Sequence, residues 1–189
     1  MDPLSARLVQ PDQRSCGPSC LVMARMLRDP AYADQVLAAG SWRNEVLAVH
    51  RRATAPVDAG RVHPPWPRAL GTPPWAVARL MRGWAGRPGA RYRSRLIVNR
   101  RETAYVAISR AVGRGHLVPV FLGSRWLPRH VVLAVRRDPS GVWVYDPASG
   151  RVVPLPRDAF AAGRLSIAGW SRAWFAVLPG GREALRNWS

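Results

Sequence analysis

The second half of the chain constrains the fold most, because short apolar runs there alternate with strong turn signals. The runs L-V-P-V-F-L-G, H-V-V-L-A-V-R-R and V-W-V-Y-D have the length and composition of buried strands. The tight-turn sequences D-P-S-G, at 138–141, and P-A-S-G, at 147–150, each follow one of these runs. Strands joined in this way pair antiparallel. We therefore predict an antiparallel sheet, with further strands in R-Y-R-S-R-L-I-V, R-V-V-P-L and W-F-A-V-L.

The first half of the chain has helical periodicity instead. After a lead-in at 1–9 that is predicted to be extended, apolar residues recur at helical spacing. Helices are predicted at about 16–28, 31–39, 41–52, 75–84, 102–112 and 158–162. Proline and glycine are dense at 53–71, which predicts a loop within an irregular insertion at about 41–75. The whole pattern predicts one α+β domain, 1–189, with N-terminal helices packed on a C-terminal antiparallel sheet.

The charge of the chain is strongly one-sided. Lysine and arginine together number 29 against 11 acidic residues, a formal net charge of +18, and every one of the basic residues is an arginine. Such a chain attracts polyanions and acidic surfaces in a salt-dependent manner. The arginines are scattered, however, and no nucleic-acid-binding motif is present. The expected partner is a peptide or protein substrate, and the hypothesis that it is acidic follows from the arginine excess. Nucleic acid is not expected, and neither is a membrane, because no apolar run approaches the ~20 residues that span a bilayer.

Cys16 is the candidate nucleophile. It precedes Gly17 and Pro18, and proline suits the first turn of a helix because its missing N–H costs nothing there. A sulfur at a helix N-terminus is stabilised as a thiolate by the unpaired N–H groups and the helix dipole. Gln10 lies six residues upstream. Its side-chain amide and the backbone N–H of Cys16 are candidates for an oxyanion hole.

His130 and Asp146 are the candidate partners of the thiol. His130 begins one predicted strand, and Asp146 ends the next, in V-Y-D-P-A-S-G. Because a tight turn joins these strands, counting along the hairpin predicts that the two residues are cross-strand neighbours. Asp146 can then orient the imidazole of His130, which accepts the proton of Cys16. Taken alone, each residue is better explained by a packing or turn role; together they favour catalysis.

Three motifs resemble a known family. Q-x5-C-G-x-x-C-L, H-V-V-L-A-V and V-Y-D-P-A-S-G are similar to motifs of the papain-like cysteine peptidases that cut double-glycine leaders. Those peptidases occur in bacteriocin-exporting transporters and as free-standing bacterial relatives. The resemblance implies a papain-like fold, with Gln10 in the oxyanion hole, Cys16 as nucleophile, His130 as base and Asp146 as its orienting partner. By the same resemblance, Cys20 is a packed core residue.

Other functions stay open at this point. The same residues can carry out transamidation or deamidation, because these reactions share the thioester and differ in the acceptor. A non-catalytic binding module on the same fold, or a basic anion- or nucleic-acid-binding protein, is the alternative class. No cofactor is expected, and the two cysteines and four histidines show no zinc-like spacing. Without a signal-peptide pattern or a disulfide framework, the expected location is cytoplasmic, and the oligomeric state is open.

Overall fold

The computed structural model describes residues 2–55, 57–58, 61–62 and 71–180 of the chain. This part contains a six-stranded antiparallel sheet with helices on both faces, so the predicted α+β class is confirmed. The helices are α1 (Cys16–Met26), α2 (Pro30–Ala38), α3 (Trp42–Ala53), α4 (Pro74–Leu80), α5 (Arg101–Gly113) and α6 (Arg157–Ala162). The strands are β1 (Val57–Asp58), β2 (Arg61–Val62), β3 (Arg91–Leu96), β4 (Val118–Gly123), β5 (Pro128–Asp138), β6 (Gly141–Asp146), β7 (Arg151–Leu155) and β8 (Arg172–Gly180).

The strands of the large sheet lie in the order β3-β8-β4-β5-β6-β7. Strands β4 to β7 follow one another as hairpins, because each short connection returns the chain beside the strand that it has just left. The last strand, β8, instead lies between β3 and β4, far from both in sequence. The strands β1 and β2 form a separate antiparallel pair.

Two apolar cores lie on opposite faces of the sheet. Neighbouring residues of a strand point to opposite faces, and β4 shows this directly: Phe121 packs with α1–α4, whereas Val120 packs with α5 and α6. Helix α1 is buried along almost its whole length and packs on β5. The N-terminal helices thus cover one face of the sheet as predicted. The two later helices cover the other face, an arrangement that the local patterns do not indicate.

The N-terminal segment differs from its prediction. Residues Pro3–Ala6 form a 3-10 turn, because the Asp2 carboxylate accepts the Leu4 N–H at 3.0 Å and Pro3 favours a helical start. Beyond this turn the chain runs along the end of β6. There the Leu8 carbonyl accepts a hydrogen bond from the Tyr145 hydroxyl. The N-terminal segment is therefore fastened beside the turn that carries Asp146.

The predicted insertion at 41–75 is regular in part. Helix α3 and the strand pair β1–β2 fall within it, whereas residues 63–70 lie outside the described residues. The single domain over 1–189 stays a prediction. Within the described residues, none of the helices has the length and apolarity required to cross a bilayer. The cytoplasmic location also stays a prediction.

Candidate active site

Cys16 is the first residue of α1 and lies at the N-terminal end of a buried helix. Only 4% of its surface is exposed. Gly17 allows the first turn to approach the segment before α4 closely, because a Cβ on Gly17 would lie 3.0 Å from the Cβ of Thr72. The first N–H groups of the helix have no helical acceptor, and they favour negative charge on a nearby sulfur. The predicted setting of Cys16 is therefore present.

Cys20 connects α1 to the strand that carries His130. The Cys20 thiol lies one turn after Cys16 and donates a hydrogen bond to the carbonyl of Val131 at 3.3 Å. Burial raises the pKa of Cys20 well above its usual value, and the negative charges of Cys16 and Asp146 add to the effect. The thiol therefore stays protonated and acts as a donor. Because Val131 follows His130, this contact aligns the start of α1 with the start of β5.

His130 contacts both of its expected partners. Its Nε2 lies 2.7 Å from Oδ1 of Asp146, and its ring lies close enough to the Cys16 side chain for the two to interact. Because a carboxylate can only accept, Nε2 carries the hydrogen in this contact, and Nδ1 is left for the sulfur. His130 and Asp146 are each only 4% exposed. The structure therefore brings Cys16, His130 and Asp146 together in one chain of contacts.

The electrostatics of the contact favour a charged imidazole. Burial alone would lower the pKa of His130, but its hydrogen bond to Asp146 and its interactions with Asp146 and Cys16 raise the pKa to about 9. Burial alone would likewise raise the pKa of Asp146, yet hydrogen bonds from His130, Ser149 and the Ala148 N–H hold that pKa below its usual value. An ionised carboxylate and a readily protonated imidazole can together stabilise a thiolate.

Residues of the turn after β6 hold the Asp146 carboxylate in place. Oδ2 accepts the Ser149 hydroxyl at 2.8 Å, and Oδ1 accepts the Ala148 N–H at 3.1 Å. The D-P-A-S-G sequence thus provides both the turn and the hydrogen bonds that orient the carboxylate. Ser149 has a part in the site that the sequence prediction missed, although an Asp followed three residues later by Ser is a recognisable turn pattern.

The strand register differs in detail from the predicted cross-strand pair. Leu133 pairs with Tyr145, so continuing the register places Val132, and not His130, opposite Asp146. Counting back from the turn, where Asp138 pairs with Gly141, gives Leu133 opposite Asp146, and an irregularity between Ala134 and Arg136 moves that partner by one residue to Val132. His130 and Asp146 are therefore diagonal neighbours, and diagonal side chains of this length still reach each other.

Gln10 is bonded to the turn that follows Asp146, and its side-chain amide is engaged locally. Its backbone N–H donates to the Pro147 carbonyl at 2.8 Å, and its side-chain Nε2 donates to the Asp12 carbonyl at 2.8 Å. One amide hydrogen is left, since a primary amide has two. Its Oε1 is buried and has no hydrogen-bond partner among the described residues. The role of Gln10 in an oxyanion hole stays a prediction.

A cavity of about 320 Å³ opens on Cys16 and His130. We call it the aromatic cavity, because its wall contains the side chains of Trp75, Phe121, Trp126, Trp174 and Phe175. Its volume falls within the range of about 300–1,000 Å³ that is usual for small-molecule sites. The sequence prediction missed this wall. Trp126 is the one residue of this wall whose position in the sequence indicates a binding role, because it is a large apolar side chain in the loop just before His130.

Searches of the chain against protein-family models and against curated proteins find no match. Within the described residues, no group of three or more histidine, cysteine or acidic side chains is placed to hold a metal ion.

The His130–Asp146 pair predicts a characteristic dependence of stability on pH. Because the pKa of folded His130 is raised to about 9, its contribution is complete below the unfolded pKa and is lost as the pH rises through 9. The lowered pKa of Asp146 adds a contribution that is lost only as the pH falls through the folded value. The free energy of unfolding of the wild type minus that of Asp146→Asn should be largest at about pH 5–6.5 and shrink towards pH 9.

Urea denaturation across this pH range measures the difference. The control is Asp158→Asn, which removes the same charge from an exposed position in α6 and should give a difference that hardly changes with pH. A wild-type minus Asp146→Asn difference that stays flat up to about pH 9.5 would mean that the pair contributes no proton-linked stability.

Proposed function

We propose that the chain is a papain-like thiol hydrolase that cleaves peptide or amide bonds. The observation that supports this most strongly is the contact chain Cys16–His130–Asp146, which begins at a helix N-terminus and opens into a cavity. Nucleophile, base and orienting group each have one candidate, and all are held by contacts of the fold. A structural cysteine needs neither a buried histidine–carboxylate pair nor access to a cavity.

The first half of the proposed reaction forms a thioester. The Cys16 thiolate attacks the substrate carbonyl carbon, and a C–S bond forms while negative charge moves to the carbonyl oxygen. The Cys16 N–H and the free amide hydrogen of Gln10 are the proposed donors to that oxygen. When the tetrahedral intermediate collapses, the C–N bond breaks and the imidazolium of His130 gives its proton to the leaving amine.

The second half regenerates the thiolate. Neutral His130 takes a proton from water, and the resulting hydroxide attacks the thioester carbonyl. The C–S bond then breaks, which releases the carboxylic acid and leaves the thiolate–imidazolium pair. Throughout, Asp146 keeps the hydrogen on Nε2 and stabilises the positive charge of the ring.

Trapping the acyl-enzyme tests this proposal. A p-nitrophenyl ester of an N-acetyl amino acid should release a burst of nitrophenolate equal to the enzyme concentration, and intact mass should show one acyl group on the protein. The Cys16→Ala variant should show neither the burst nor the adduct. A wild type that releases nitrophenolate no faster than Cys16→Ala, and carries no adduct, would contradict the proposal and favour a binding module.

The net charge of +18 leads us to propose an acidic substrate. For a peptide with several carboxylates, raising the ionic strength from low salt to about 0.3 M should raise KM severalfold and leave kcat nearly unchanged. Salt screens the attraction between the basic protein and the acidic peptide, and it does not affect the bond-breaking steps in the bound complex. A matched peptide with amides in place of the carboxylates serves as the control. If both peptides show the same salt dependence of KM, the charge of the substrate plays no part.

A further inference from the structure

Large apolar side chains are exposed where the aromatic cavity opens. Trp126 is 69% exposed, Leu127 50% and Trp75 38%, and all three line the cavity. Single exposed apolar residues are common on proteins, but a group of them at the mouth of a cavity is characteristic of a binding surface. Cys16 and His130 line the same cavity, so an occupant of this surface would lie against the reactive sulfur.

The loop that carries Trp126 is held in place by its own hydrogen bonds and packing. The Ser124 hydroxyl accepts the N–H groups of Trp126 and Leu127, at 3.1 and 3.3 Å. The indole N–H of Trp174 donates to the Ser124 carbonyl at 2.9 Å. At the start of the loop, a Cβ on Gly123 would lie 2.0 Å from the Leu127 carbonyl oxygen, so the backbone packs as closely as glycine allows. A wall fixed in this way costs little ordering entropy on binding.

The charges around the cavity have one sign. Arg14 and Arg129 are exposed and line the cavity, and the guanidinium of Arg125 lies 4.2 Å from the centre of the Trp126 ring. Among the described residues that line it, none carries a carboxylate. An occupant with acidic groups next to an apolar group would therefore be complementary to this surface.

From these observations we propose that the aromatic cavity binds one large apolar side chain of an acidic peptide, on the acyl side of the bond that Cys16 attacks. The inference rests on the proposed function and adds the class of substrate. It also separates this chain from the leader peptidases that it resembles, for which the resemblance implies glycine at that position. A glycine would leave the apolar wall exposed to water, whereas a phenylalanine or leucine would cover it.

Acylation by two esters tests the side-chain preference. We expect N-acetyl-phenylalanine p-nitrophenyl ester to acylate Cys16 about 10- to 100-fold faster than the N-acetyl-glycine ester, after subtraction of the rate with Cys16→Ala. Trp126→Ala should reduce the ratio of the two rates at least about fivefold, because it removes the largest exposed part of the wall. Trp143→Ala is the matched control, since Trp143 packs against Arg136 outside the cavity, and it should keep the wild-type ratio.

A pair of longer peptides tests the charge complementarity. Peptides with phenylalanine at the cleaved bond and either glutamate or glutamine at the flanking positions should differ at least about threefold in kcat/KM, in favour of glutamate. Arg129→Gln should reduce this difference.

The outcomes separate this inference from the proposed function. If no ester acylates Cys16, the proposed function fails, and the inference fails with it. If both esters acylate Cys16 at similar rates, or if Trp126→Ala leaves their ratio unchanged, the thiol hydrolase stands and the cavity does not select the side chain. If the glutamine and glutamate peptides are cleaved with the same kcat/KM, the acidic part of the inference is wrong.

Discussion

A Cys16→Ala variant is expected to hydrolyse a peptide amide at least about 10⁴-fold more slowly than the wild type, because the covalent route disappears with the nucleophile. His130→Ala should lose a factor of about 10²–10⁴, since the thiol then lacks its base and the leaving amine lacks its acid. Both variants should keep the helix and strand that carry these residues, because each substitution shortens one side chain and leaves the backbone unchanged. Rates of product formation, with folding checked by circular dichroism, measure the effect.

The second cysteine provides the matched control. Cys20→Ala removes a thiol one turn further along the same helix, where the side chain is fully buried and bonded to the Val131 carbonyl. This variant should lose about 1–2 kcal/mol of unfolding free energy through the cavity and the lost hydrogen bond, and should still form the thioester. Equal loss of the reaction in both cysteine variants would show that stability, and not the nucleophile, accounts for the effect.

Gly150→Ala should destabilise the fold by at least about 3 kcal/mol, because two separate costs coincide at this position. The backbone of Gly150 has φ +66°, a conformation that favours glycine. In addition, a Cβ there would lie 2.6 Å from the carbonyl oxygen of Arg7, in the segment that is fastened to the Asp146 turn. Neither backbone can yield without moving the turn that orients Asp146. Urea denaturation measures the loss.

Gly40→Ala separates the two costs. Gly40 also has a positive φ, +57°, but a Cβ added there would have nothing within 4 Å, so only the backbone strain applies. The loss there should be about 1 kcal/mol. If the two alanine variants unfold at the same urea concentration, the close approach of Arg7 to Gly150 does not contribute, and the described attachment of the N-terminal segment is wrong.

Local signals account for the part of the site that the sequence predicted. Gly17 and Pro18 place Cys16 at the start of a helix, and the tight turns place His130 and Asp146 on neighbouring strands. Each of these inferences uses residues a few positions apart, where backbone preferences act directly. The diagonal offset of His130 and Asp146 was not predicted, because the count assumed a direct pair and because the strand irregularity that sets the final register has no turn residue to signal it.

The aromatic cavity could not be predicted, because long-range pairing creates it. In the sequence, the pattern around Phe121 and Phe175 predicts only core residues of apolar strands. The pairing of β4 with β8 is what places the two side chains opposite each other. The pairing of β3 with β8 joins segments separated by most of the second half of the chain, and no local pattern specifies it. The position of α5 and α6 on the second face of the sheet could not be predicted either, because it depends on how the chain crosses the sheet.

We propose that His130 maintains Cys16 as a reactive thiolate. The most direct measurement is the rate of alkylation by iodoacetamide as a function of pH, followed by intact mass for the wild type, Cys16→Ala and His130→Ala. We expect one adduct on the wild type, none on Cys16→Ala in the same time, and a rate at about pH 6 that falls at least about tenfold in His130→Ala. A wild type that is inert, or that reacts at the same rate with and without His130, would contradict the claim.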